Sequence, residues 1–394
     1  MIYLDNAGTT KLDENVLSGM MPFLTENYGN ASSLHSLGQR AKEYLEQARE
    51  VVAKCINAEA REIFFTSGGS ESDNQAIISA SILGERQNKK HIITTKFEHH
   101  AVLHTLQKLE TKGFEVTYLD VYENGIIRLE DLEKAIRPDT CLVTIMFANN
   151  EIGTIQPIKE IGKICKKHNV IFHTDAVQAV GHLPIDVVDM NIDMLSMSGH
   201  KFHGPKGVGA LYCKKNILLS TLIDGGAQES GKRAGTENLA GIVGLSLALE
   251  DAVTNMEKHN DKIKNLRDKL ITELTKVEHS ILNGDNENRL ANNVNICFEG
   301  IEGESLLLLL DDEGICASSG SACTSGSLDP SHVLLAIGRP HEIAHGSLRL
   351  TLSKYTTEEE IDKVIEIVPK VVERLRKMSP VWHALTKGEK KHVI

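Results

Sequence analysis

Lys201 lies in Ser198-Gly199-His200-Lys201-Phe202-His203-Gly204-Pro205-Lys206-Gly207, a glycine-rich turn just past an apolar run. An amine held there, partly desolvated, suits a Schiff base with a carbonyl; a surface loop lysine is the plain alternative. Twenty-six residues earlier, room enough for one helix and one strand, Asp175 ends the apolar run of His173-Thr174-Asp175-Ala176-Val177-Gln178. Open α/β sheets collect ligand groups at such strand ends. A carboxylate there can hold a protonated ring nitrogen, and it can serve as a helix N-cap at the same time. In Ser67-Gly68-Gly69-Ser70-Glu71, glycines join a strand to a helix start, which makes a cradle of backbone N–H groups for an anion. That turn is common in isolation. Beside the lysine and the aspartate it reads as a phosphate site.

The fourth feature is Cys323, set in Ser318-Ser319-Gly320-Ser321-Ala322-Cys323-Thr324-Ser325-Gly326-Ser327. A run of such small residues cannot build a core, so its cysteine is expected to be exposed and able to move. An ordinary loop thiol is the plain alternative. The chain has six other cysteines. Most stand in apolar stretches as small core residues, Cys297 between Ile296 and Phe298 among them, and Cys316 is expected to end a strand. No pair has CxxC spacing, which disfavours a zinc ribbon or an iron–sulfur ligand run. An odd total disfavours a disulfide framework.

The elements that must position these groups follow from the apolar pattern. Strands are expected at Glu62–Thr66, His91–Thr95, Phe114–Leu119, Cys141–Phe147, Val170–Thr174, Met194–Ser198 and Val208–Tyr212, alternating with helical stretches. Near-continuous apolar strands separated by helices predict an α/β fold around a buried, mostly parallel sheet. From about Thr236 to Val277 the pattern reads as one long connecting helix. The alternation in Asn293–Phe298 opens a smaller α+β part, and Thr357 with Glu358, Glu359 and Glu360 reads as a capped helix start. A length of 394 residues suits two domains: a large one at 15–255, and a small one made of 1–14 and 256–394 that carries the Cys323 loop. The net charge of −11 argues against a general nucleic-acid or anionic-membrane binder. Met1–Asn6 has neither a basic nor an apolar leader, and Leu306–Leu310 is too short to span a bilayer, so a cytoplasmic protein is expected. The polar tail from Lys387 is expected to fray. Trp382, the only tryptophan, reads either as a docking surface or as a core anchor.

Phosphate cradle, aspartate and lysine, in that order on strand ends, describe a pyridoxal-phosphate enzyme. The motif set resembles the NifS-like cysteine desulfurases of the class V aminotransferase group, from Tyr3-Leu4-Asp5-Asn6-Ala7-Gly8-Thr9-Thr10 to Thr356-Thr357-Glu358-Glu359-Glu360-Ile361-Asp362. The joint set is specific, although no single piece is. The resemblance implies fold type I of the pyridoxal-phosphate enzymes. It implies that Lys201 is the Schiff-base lysine and that Asp175 pairs with the pyridine nitrogen. His99 would stack on the ring and assist proton transfer, with Asn150 and Gln178 near the phenolic oxygen. Gly69, Ser70, Ser198 and His200 would hold the phosphate, joined by Thr236 of a neighbouring subunit in a homodimer with shared sites. Arg349 and Asn150 would bind the substrate, Arg349 as a fork on its carboxylate.

Cys323 matches the residue that takes sulfur from L-cysteine as a persulfide and leaves alanine. Its long loop resembles that of the NifS/IscS-type group, which hands sulfur to an iron–sulfur scaffold protein. No resident metal is implied; Cys323 is the one residue expected to touch an iron–sulfur cluster transiently, with such a scaffold. The chain departs from the family pattern at Ala31 (usually proline), Gly8 (alanine), Ser230 (arginine) and Ser353 (glycine). Another fold-type I enzyme, such as an aminotransferase, a kynureninase-like lyase or a selenocysteine lyase, would need Lys201 and Asp175 but not Cys323 as sulfur acceptor. A non-catalytic binding module would not need the lysine.

Overall fold

The computed structural model describes residues 1–319 and 330–394. Twelve strands are named here in chain order: β1 (Ile2–Tyr3), β2 (Ile63–Thr66), β3 (His91–Thr95), β4 (Glu115–Leu119), β5 (Thr140–Thr144), β6 (Ile171–Asp175), β7 (Met194–Ser198), β8 (Gly209–Cys213), β9 (Ser280–Leu282), β10 (Asn293–Phe298), β11 (Ile315–Cys316) and β12 (Ser347–Thr351). Seven of them form the large sheet in the order β2-β8-β7-β6-β5-β3-β4. All run parallel except β8, which is antiparallel to both neighbours. The apolar runs of β5, β7 and β8 are buried along their whole length, as expected for a sheet covered by helices on both faces. The α/β class and the mostly parallel sheet are therefore as the sequence indicates.

Strand edges differ from the expected ones by a few residues. Residues 60–62 form a short 3-10 turn, so β2 starts one residue later than expected, at Ile63. The larger correction is to the connecting helix. Two helices, Leu239–Thr254 and Met256–Leu274, meet at a 72° bend. Asn255 sits at the break, and its side-chain amide donates to Asp251 O (3.2 Å) and Asp251 Oδ1 (2.8 Å). An asparagine that bonds the preceding turn offers the backbone an alternative to continued helix.

The first helix packs in the main core, through Leu245 and Leu249. The second packs in another core, where Ile263, Leu266 and Leu270 meet Ile2, Leu4, Val294, Leu350 and Val368. Around that second core lies an antiparallel sheet, β12-β10-β9, and a parallel pair, β1-β11. Pairing of β1 with β11, followed by a bridge from Asp5 to Thr351, carries residues 5–9 across to the C-terminal ends of the large sheet. Thr357 caps the helix Glu358–Met378 in a capping box with Glu360, as expected.

The tail does not fray. Beyond the helix Pro380–Thr386, His392 Nδ1 and Val393 N reach the Glu299 carboxylate at 2.8 and 2.7 Å. Buried polar groups draw backbone and side-chain donors to them, and the tail supplies both. Trp382 is half-buried. Its ring lies 4.0 Å from the Arg376 guanidinium, and a Cβ on Gly300 would sit 2.6 Å from it, so one side of the ring packs on the body of the chain.

Candidate active site

The C-terminal ends of β2, β3, β5, β6 and β7 open onto one cleft of about 240 Å³, lined by Gly69, Ser70, His99, Asn150, Asp175, Gln178, Ser198, His200, Lys201 and Arg349. All but Arg349, which lies on β12, come from these strand ends or the segments that follow them, which is where parallel sheets place ligands.

The anion cradle is built by the chain passing from β2 into the helix Gly69–Arg86. Thr66 Oγ1 meets Ser72 Oγ at 2.8 Å, and the Ser67 amide donates to Glu71 Oε2 at 2.9 Å, closing the turn. A Cβ on Gly69 would lie 2.5 Å from Val177 Cγ2, so a larger residue there would have to push the Val177 side chain aside. The first-turn amides of a helix lack intrahelical acceptors and point outward. Ser198, the last residue of β7, and His200 in the following turn face the same region. His200 Nδ1 is 3.1 Å from Thr9 Oγ1, and burial with Lys201 nearby pushes the imidazole down to about 4, so the ring is neutral near pH 7.

Asp175 is 5% exposed, and burial raises its carboxyl pKa against the opposing pull of His99 and Lys201. Its Oδ1 accepts from Val177 N at 2.9 Å. A cation set against this carboxylate would favour the ionised form that burial disfavours. His99 is the N-cap of the helix His100–Glu110, and its Nδ1 accepts from Ala101 N at 3.1 Å. That acceptance places any proton of the neutral ring on Nε2. Lys201 Nζ donates to Ala7 O (2.5 Å) and Gly8 O (2.8 Å), and Gln178 Nε2 donates to Ala7 O at 3.1 Å. The arm of residues 5–9 thus closes over the lysine. A Cβ at Gly8 would come within 2.7 Å of Asp5 Oδ2, so an alanine there would need the Asp5 carboxylate to shift.

Arg349, on β12, is 3% exposed; Nη2 donates to Asp5 Oδ1 at 2.8 Å and Nη1 to Asn150 O at 3.1 Å, while Nε is buried with no partner. Its backbone pairs with Ser318, which leads into residues 320–329. Cys323 lies outside the described residues. Among the cysteines described, burial raises the thiol pKa of Cys55, Cys141 and Cys297 to about 11 and of Cys213 to about 12, and raises Cys165 as well. Thiols so buried are poor nucleophiles at neutral pH.

Thr236 does not join the cleft of its own chain; it is exposed, beside Arg233, whose Nε donates to Glu71 at 2.9 Å. Ser230 is exposed with φ 56° next to Glu229, which is buried against Arg49 at 2.7 Å. Ser353 Oγ accepts from Tyr355 N at 3.3 Å, a turn that leads into the Thr357 cap. Sequence reasoning did not single out Asp5, Asp73 or the Ala7 and Gly8 carbonyls. Asp73 is fully buried, Oδ1 has no hydrogen-bond partner, and burial with Asp175 nearby pushes its carboxyl well above the usual range. An acid in a polar helix turn carries no sequence mark of such burial.

The aminotransferase class-V family model matches residues 2–364. "Cysteine desulfurase IscS" of Clostridium botulinum (strain Hall) is 57% identical over 391 residues, covering 98% of each chain. The "Cysteine desulfurase IscS" of Methanosarcina thermophila is 56% identical, covering 96% of this chain and 94% of the relative. A solved NifS-like protein superposes with a TM-score of 0.90 at 41% identity, over 95% of this chain and all of the other. The structure described as SspA in complex with cysteine gives 0.79 at 39% identity, over 91% and 100%.

Proposed function

The chain belongs to the NifS-like cysteine desulfurases of the aminotransferase class-V family, and from that premise we propose that it takes sulfur from L-cysteine, releases L-alanine and holds the sulfur as a persulfide on Cys323. One observation carries the reading furthest: Lys201, Asp175, His99, the Gly69–Ser70 turn and Arg349 converge on one cleft in a chain 57% identical to a named cysteine desulfurase.

Enzymes of this family use pyridoxal phosphate, and the donor set of this cleft fits it. The first-turn amides, Ser70, Ser198 and His200 suit a phosphate, and the buried Asp175 carboxylate suits a protonated ring nitrogen. When bound, that cofactor supplies an electron sink for the substrate's α-carbon. The remaining steps fall to the chain. Arg349 binds the substrate carboxylate through the donors it does not spend on Asp5 and Asn150. Lys201 Nζ, as the neutral amine, takes the α-proton; the Ala7 and Gly8 carbonyls that it meets in this chain border the place where it works. His99, whose Nδ1 accepts from Ala101 N, carries the proton of its neutral ring on Nε2 and assists proton transfer. The Cys323 thiolate attacks the substrate sulfur: an S–S bond forms, the Cβ–S bond breaks with its electron pair going to carbon, and protonation gives alanine.

The Ser318–Arg349 pairing supports placing the loop beside the substrate clamp. An iron–sulfur scaffold is the proposed acceptor, and any metal contact of Cys323 would be transient, with that partner. A homodimer follows from two supports: Leu17, Met21 and Leu24 are exposed along one helix, and Thr236 stands outside its own cleft. The second core, which joins Ile2 and Leu4 to residues between Ile263 and Val372, supports a small domain of 1–14 and 256–394, with Val333, Leu334 and Ile343 of that domain packed into the main core. The test is alanine formation from cysteine by Cys323→Ser: the reading expects it to fall to background with the cofactor still bound, and full activity would refute it.

A further inference from the structure

At the edge of the antiparallel sheet, three side chains far apart in sequence bring metal-binding atoms together. His279 precedes β9, Glu299 follows β10, and His392 comes from the tail. His392 Nδ1 lies 2.8 Å, and His279 Nδ1 3.5 Å, from the same Glu299 Oε2. All three donor atoms lie within 4.8 Å of one another. Two ligands of one tetrahedral zinc ion stand roughly 3.4 Å apart, so the Glu–His separations are already close to that value. The two imidazoles are stacked, 3.8 Å between centroids and 15° between planes. Converging on one ion requires one ring to tilt, and His392, the exposed member, is free to do so.

The two sheet residues are held in advance. Glu299 is 3% exposed, with Oε1 accepting from Val393 N at 2.7 Å. The buried Arg376 donates to Glu299 O (3.0 Å), Glu278 O (2.8 Å) and His279 O (3.0 Å), fixing both backbones. A guanidinium that orients the segments carrying two ligands is the outer support metal sites need. His279 has φ 53°, the left-handed region, which asparagine and histidine tolerate better than most side chains. His279 Nδ1 donates to the Ile394 carbonyl oxygen, a contact that an ion on Nδ1 would replace.

We infer that His279, Glu299 and His392 form a site for a divalent transition ion of the zinc class, separate from the cysteine-binding cleft, which fastens the tail to the sheet edge. Two imidazoles and one carboxylate are a borderline nitrogen–oxygen donor set with a fourth position left for water or a carbonyl. On binding, the ion displaces two ring protons, the one that His392 Nδ1 directs at Glu299 and the one that His279 Nδ1 directs at Ile394 O; each ring carries its remaining proton on Nε2 or releases it to solvent.

The test uses holoenzyme in a Cys323→Ser background, so that the loop thiol is not a ligand and the cofactor occupies the cleft. After chelator treatment the protein is titrated with Zn²⁺ by calorimetry, and with Co²⁺ as an optical probe of tetrahedral coordination. One ion per chain is expected. His392→Gln, on the tail and harmless to folding, should weaken Zn²⁺ binding by more than about 100-fold, beyond the 10–100-fold typical of an outer support residue. His279→Asn, which suits the left-handed backbone, should do the same. In the parent protein Zn²⁺ should also slow tryptic cleavage after Lys390 and Lys391. Equal stoichiometry and affinity in parent and both variants, or no tetrahedral Co²⁺ spectrum, would overturn the site.

Discussion

Replacing Arg349 separates recognition of the substrate carboxylate from the chemistry that follows. A guanidinium has five N–H donors, and here one goes to Asp5 Oδ1 and one to Asn150 O, while Nε is buried without a partner. A carboxylate lying along the Nε–Nη2 edge would take two charge-assisted hydrogen bonds, each contributing about 1.5–3 kcal/mol. Arg349→Gln loses both, about 3 kcal/mol at the lower end, or roughly 150-fold in kcat/KM for cysteine. Arg349→Lys keeps the charge and one bond but not the planar fork, so it should lose about 1.5 kcal/mol, roughly tenfold. The carboxylate is not altered by the reaction, so both losses should fall mainly on KM. Steady-state alanine formation across a cysteine titration reads the effect, and the absorbance of bound cofactor, unchanged in both variants, controls for a collapsed site. A KM within twofold of the parent for Arg349→Gln would refute the assignment of this arginine.

Other consequences follow from the same geometry. Gly69→Ala pushes a methyl group within 2.5 Å of Val177 Cγ2, so equilibrium dialysis should show cofactor affinity down by at least about tenfold while the fold persists. Thr236→Ala should weaken cofactor binding by about 10–100-fold, the effect of one charged hydrogen bond. Mixing it with Lys201→Ala should regenerate one intact site per mixed dimer, and no recovery of activity would exclude sharing of sites between subunits. Burial raises the Glu98 carboxyl to about 8, so the folded protein binds a proton there that the unfolded chain releases near pH 4.5. Wild type should therefore lose stability as pH rises from 5 to 8. Glu98→Gln should show a flatter profile of urea midpoints over that range, and parallel profiles would contradict the buried-acid reading.

The cleft was legible because its residues end apolar strands or sit in glycine-rich turns, where local pattern and topology agree. Asp175 and Ser198 are the last residues of β6 and β7, and Gly69 opens the helix close against Val177. Helix continuity was less legible. The run from Thr236 to Val277 contains no proline, and only the side-chain bonds of Asn255 to Asp251 mark the bend. Asp73 was hidden for a different reason: its helix turn is polar in sequence and buried because that helix packs on β5, β6, β7 and β8 of the large sheet. The tail looked free because docking on Glu299 joins residues 93 apart in the chain, a pairing no local pattern can announce. The role of Arg349 came from the family resemblance, and its geometry from the crossing of residues 5–9 over β12, a long-range consequence of pairing β1 with β11.

The central claim is that sulfur leaves cysteine in the Lys201 cleft and comes to rest on Cys323. Mass spectrometry of the peptide containing Cys323, after brief exposure of the holoenzyme to L-cysteine, tests it most directly. The account predicts a mass gain of one sulfur atom on Cys323, removed by a thiol reductant and absent from Lys201→Ala. An unmodified Cys323 in an enzyme that releases alanine, or an equal gain in Lys201→Ala, would contradict it.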